Sequence, residues 1–103
     1  MPATAYSLNG IDAAYALVRS RDRIMLVDYI RQNPAAFVDD ILEGTAIPRG
    51  SLGQHLRALE GIGVLRLDLP GDKRHGRAVR YSVDEARTVE LVGSLTQALI
   101  GRE

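Results

Sequence analysis

Apolar residues change their spacing twice along the chain, and each change marks a switch of secondary structure. The first apolar stretch, residues 11–18, is short and Ala-rich. It follows the turn-prone Ser7-Leu8-Asn9-Gly10, which predicts a first helix starting at Ile11 and ending near Arg19. Ser20 is a suitable N-cap for a second helix over 21–32, with Asp22 in its first turn facing the partial positive charge of the helix end. Ile24, Val27 and Ile30 share one face of it, and Met25 and Tyr29 form a second apolar strip, so it is expected to be covered on both sides. Pro34 disfavours helical geometry at Asn33 and opens a connection.

A third short helix fits 36–43, where Phe37, Val38, Ile41 and Leu42 recur at helical spacing and Asp39, Asp40 and Glu43 take the outer arc. Gly44 and Thr45 then break it. Pro48 suits the first position of a fourth helix over 48–62, where its missing N–H is harmless. Leu52, Leu56, Leu59 and Ile62 give that helix a buried stripe, and Gly63 is its natural left-handed C-cap. About four residues separate helices three and four, the spacing of a helix-turn-helix. Beyond Gly63 the period falls from about 3.6 to 2. Leu65, Leu67 and Leu69 alternate with Arg66 and Asp68, a polar turn occupies 70–76, and Val79, Tyr81 and Val83 alternate with Arg80 and Ser82. This is a hairpin with a basic tip, whose apolar face must lie on the helices. Asp84 or Glu85 opens a last helix reaching Ile100, in which Leu91, Val92, Leu95, Ala98 and Leu99 form an apolar arc wide enough to be shared with a second subunit.

The predicted fold is therefore mainly α with a small β-hairpin: a winged helix-turn-helix of about five helices and a two-stranded wing, in one domain spanning 1–103. A chain of 103 residues with 46% apolar and 25% charged residues can build one core of this kind. The absence of cysteine excludes disulfides and thiolate metal sites. No apolar run reaches the length of a membrane span, and Met1 to Gly10 lacks the basic and apolar regions of a signal peptide, so a cytoplasmic, nucleoid-associated location is expected.

Thirteen basic and thirteen acidic residues cancel, which at first argues against nucleic acid as a partner. The distribution reverses that inference. Residues 47–82 hold seven basic and three acidic side chains, a local net of +4, while 35–46 carries −3 and 83–103 carries −2. A GC-rich genome would account for arginine outnumbering lysine twelve to one, but not for the clustering.

Specific residues narrow the class. The run Ser51-Leu52-Gly53-Gln54-His55-Leu56-Arg57-Ala58-Leu59, followed by Gly61-Ile62-Gly63-Val64-Leu65, resembles the recognition helix of ArsR-type repressors. Ala16 to Leu26 is similar to that family's helix-entry motif, and Arg77-Ala78-Val79-Arg80-Tyr81-Ser82-Val83 to its second wing strand; the likeness covers roughly residues 8–100. Two departures matter. Gly50 and Gly53 stand where the family tends to have Ser, and residues 38–42 lack the Cys pair of the arsenic-sensing members. The last helix has no His for a zinc or nickel site, so no metal and no cofactor are expected.

For DNA reading, the candidates on the fourth helix are Arg49, Ser51, Gln54, His55 and Arg57; Arg reads guanine and Gln reads adenine in the major groove, and Arg57 and Arg66 suit phosphates or local acids. Lys73, Arg74, His75 and Arg77 of the wing, 70–77, suit the backbone or a narrow minor groove. Tyr15, Leu91, Val92, Leu95 and Leu99 are the candidate dimer-interface residues, on terminal helices 11–18 and 85–100. Catalytic readings find no support. Gly61-Ile62-Gly63 precedes a strand rather than opening a helix, and Ser51 with His55 lacks an orienting acid.

The expectation is a homodimeric, sequence-specific double-stranded DNA-binding regulator, a repressor in the first instance, with any small-molecule effector unassigned. An architectural or replication-accessory DNA protein of a plasmid or phage, and a winged-helix module that binds an acidic protein, are the alternatives.

Overall fold

The computed structural model describes residues 3–68 and 79–101. Their order is α1 (Ala3–Val18), α2 (Arg21–Gln32), α3 (Val38–Thr45), α4 (Arg49–Gly61), β1 (Leu65–Leu67), β2 (Tyr81–Val83) and α5 (Glu85–Leu99). The molecule is mainly helical with a two-stranded antiparallel hairpin, the architecture expected. Leu69, the turn 70–76 and the wing residues Lys73, Arg74, His75 and Arg77 lie outside the described residues.

Local chemistry sets most boundaries. Ser20 caps α2, its Oγ accepting from the backbone N–H of Asp22 at 3.1 Å. Gly63, at φ +86°, closes α4 in the left-handed region that a Cβ disfavours. Asp84 caps α5, its Oδ1 accepting from Arg87 N at 3.0 Å. Several boundaries differ from expectation, among them the start of α3, at Val38 rather than residue 36, because Ala36 bridges to Tyr81 instead. Helix α1 begins at Ala3, not Ile11, and absorbs Ser7-Leu8-Asn9-Gly10. Gly10 is helical and α5 crosses close to it: a Cβ there would fall 2.9 Å from Ser94 Oγ. Helix α3 runs through Gly44 and Thr45 and breaks at Ala46, which itself takes the left-handed conformation at φ 60°. Pro48 is the N-cap of α4 rather than its first residue, a shift of one position.

The core is one cluster. Ala14 and Leu17 of α1, Leu26 and Ile30 of α2, and Ile41 of α3 meet Leu52, Leu56 and Leu59 of α4, with Val64 and Leu65 behind them and Leu91 closing the α5 side. Ile47, in the turn between α3 and α4, is buried too and pins that turn to the core. Helix α2 is covered on one side only. Its buried positions are Arg23, Leu26 and Ile30, whereas Ile24 is 50% exposed, so the expectation of cover on both faces is corrected.

In the hairpin Leu65 pairs with Val83, Arg66 with Ser82 and Leu67 with Tyr81. Leu65 faces the core and Arg66 faces out, as the period of two requires. Strand β2 has a neighbour on its other edge as well. Ala36 and Tyr81 exchange backbone hydrogen bonds of 3.1 and 2.8 Å, so Tyr81 fastens the start of α3 to the hairpin.

Candidate nucleic-acid interface

Seating α4 on Leu52, Leu56 and Leu59 decides where its other residues point, at about 100° of rotation per residue. Gly50, Gln54, Arg57 and Gly61 lie opposite the buried stripe and are exposed. Nothing stands within 4 Å of the position a Cβ would take at Gly50. One flank faces α3 and β2. There Arg49 donates from Nη2 to Asp39 Oδ1 at 3.4 Å, a solvent-exposed pair that ties down little. The other flank faces α2 and carries Ser51 and His55; Ser51 Oγ donates to Pro48 O at 3.2 Å within its own first turn.

Five candidate residues of the fourth helix therefore separate into three groups. Gln54 and Arg57 stand together on the open face, and Arg49 lies at its edge beside an acid. Ser51 and His55 lie on the α2 flank, Ser51 bonded within its own first turn and His55 turned towards the protein. The side chain of His55 is 16% exposed, and its Nδ1 accepts a hydrogen bond from Arg23 Nε at 3.1 Å. That placement turns the Nδ1 edge of His55 inward onto Arg23, away from the face that carries Gln54 and Arg57.

Arg23 is the functional neighbour that periodicity missed. It sits in the apolar stripe of α2 at 6% exposure, and its Nη1 donates to Ala16 O at 2.7 Å. Burial, followed by the nearby charge of Arg19, holds its pKa below the ordinary guanidinium value. A four-residue apolar count cannot register a buried cation whose partners lie on other helices; the only trace in the sequence is an arginine at core spacing before Leu26 and Ile30.

Two more arginines of the basic segment are held by the hairpin. Arg66 Nε donates to Asp84 Oδ2 at 3.1 Å, and the guanidinium of Arg80 lies 4.9 Å from the centre of the Phe37 ring. Asp84 is thus a joint: backbone N–H groups of α5 and the Arg66 side chain together hold its carboxyl below the usual carboxylate range. A groove of about 580 Å³ runs between α3, Arg49 and β2, bordered by Phe37 and Tyr81.

The terminal helices present a second surface. Tyr15 of α1 and Val92 and Leu99 of α5 are 60%, 48% and 80% exposed, and Val89 and Ile100 are exposed as well. Leu91 does not belong to it. At 1% exposure its side chain is spent on the core of its own subunit, and Leu95 is half-buried against that core. Arg87 links this surface to α4, donating from Nε to Ile62 O, just past the helix end, at 2.8 Å. Among the described residues no three His, Cys, Asp or Glu side chains converge on a possible metal position, and no helix is long and apolar enough to cross a membrane. Compared with known proteins, the chain matches no family model and no curated sequence.

Proposed function

We propose that the chain is a sequence-specific double-stranded DNA-binding regulator, a repressor in the first instance, that works as a homodimer in the cytoplasm and has no catalytic role. The observation that carries the reading is the outer face of α4: a helix seated by three leucines that leaves Gln54 and Arg57 uncovered beside Gly50, where backbone is bare. Gln can make paired hydrogen bonds to a base edge in the major groove, Arg57 suits a neighbouring phosphate, and a missing Cβ lets a partner approach the helix closely. The hairpin supports the same reading by following α4 directly and drawing its cations from the +4 segment. Exposed Tyr15, Val92 and Leu99 supply the apolar surface for a second copy, which would set two α4 helices against successive major grooves.

Fluorescence anisotropy with duplex DNA from the region upstream of the gene tests this reading. Affinity is expected to fall steeply with salt, and Arg57→Ala to reduce the slope of log K against log salt by about 1 for a phosphate contact. Salt-independent binding, or none, overturns the proposal.

A further inference from the structure

Arg23 bridges three helices through two hydrogen bonds. From α2 it reaches Ala16 O on α1 and His55 Nδ1 on α4. A guanidinium only donates, so His55 must offer the Nδ1 lone pair, and a neutral imidazole then carries its proton on Nε2. That Nε2 lies 4.0 Å from Asp22 Oδ2. The charged groups facing the ring are therefore Arg23 and Asp22, both from α2, with Arg19 at the end of α1 adding positive charge near Arg23.

Protonating His55 changes the balance of these contacts. A hydrogen on Nδ1 sets donor against donor and cation against cation across 3.1 Å, while Asp22 attracts the imidazolium from the other side. The ring then has reason to exchange Arg23 for Asp22, which leaves a buried guanidinium short of an acceptor. The contacts by which Arg23 ties α4 to α1 and α2 thus require the Nδ1 lone pair of a neutral His55.

We propose that His55 is a positioning residue for α4 rather than a base reader, and that its exchange of Arg23 for Asp22 on protonation weakens DNA binding in mildly acidic solution. The DNA part of this inference rests on the function proposed above; the seating of α4 does not.

The test uses the full chain carrying His75→Gln, so that the change reports the one remaining histidine, His55. Nitrogen-15 imidazole shifts are expected to show the proton on Nε2 near about pH 7.5. Amide protection in the first two turns of α4 should fall about tenfold by about pH 5.5, in line with loss of one charge-assisted bond. Affinity for DNA should fall by a similar factor over that interval.

His55→Gln keeps an acceptor without a titrating group, so it should restore binding at neutral pH and flatten both profiles, whereas His55→Ala should weaken binding throughout. The Nδ1-protonated tautomer, protection of α4 that does not change with pH, or an affinity equally flat with and without His55 overturns the proposal. Protection that responds to pH in a chain that binds no DNA supports the seating of α4 and overturns the DNA-binding reading instead.

Discussion

Replacing Gly50 and Gly53 by alanine separates what α4 does for the fold from what it does for a partner. Both glycines lie inside the helix, where each is less favourable than alanine by up to about 1 kcal/mol. Neither is required by packing. The space around a Cβ at Gly50 is open, and at Gly53 the nearest atom is Arg57 Nη1 at 3.4 Å, the far end of a flexible side chain. Gly50 sits in the first turn, where the gain is smaller, so the double variant should be more stable by about 1 kcal/mol, equivalent to a rise in Tm of about 4–8 °C for a chain of this size. If DNA lies against the open face, the new methyl at position 50 occupies space the partner needs, whereas the one at position 53, on the flank towards α3 and β2, does not. Overpacking of a close contact costs about 1–3 kcal/mol, so the affinity measured by anisotropy should drop about tenfold or more. A variant that melts higher and binds DNA as well as the parent would refute the placement of DNA on this face. A variant that melts lower would refute the account of how α4 packs.

Other residues give sharp contrasts. Leu91→Ala should lower stability by about 2–5 kcal/mol in thermal or urea unfolding, because it empties a core position, whereas Leu99→Glu with Tyr15→Glu should leave folding intact and shift sedimentation from dimer to monomer. Arg87→Met removes the bond to Ile62 O and should cost about 1 kcal/mol in urea unfolding. Asp84 is held below its ordinary pKa by the Arg87 backbone N–H and then by Arg66, so its stabilisation is complete above the unfolded value near 4 and is lost as pH falls through the folded value. The stability gap between the parent and Asp84→Asn, followed by circular dichroism, should therefore close as acid is added.

Elements defined by local chemistry were legible in the sequence. Ser20, Gly63 and Asp84 each act through their immediate neighbours, and the change of period after Gly63 reports the hairpin directly. Features set by distant contacts were not. The turn-like Ser7-Leu8-Asn9-Gly10 is helical in a stretch whose Gly10 meets α5, and the buried face of α2 includes Arg23, which apolar spacing does not register. Within the candidate site, Gln54 and Arg57 are exposed, opposite Leu52, Leu56 and Leu59. His55 is not, because a polar side chain on a helix flank can turn to solvent or to a neighbour, and only the position of Arg23 decides which. Leu91 differs from Leu99 by two helical turns yet points to the core rather than to open solvent, a distinction an apolar arc alone does not make.

Selection of bound duplexes from a random DNA pool tests the central claim most directly. The account predicts an enriched motif of two inverted half-sites whose centres lie about 10–10.5 base pairs apart or at a multiple of that spacing, with preference at defined positions relaxed by Gln54→Ala. Recovery of no motif, or of one that Gln54→Ala and Arg57→Ala leave unchanged, would contradict it.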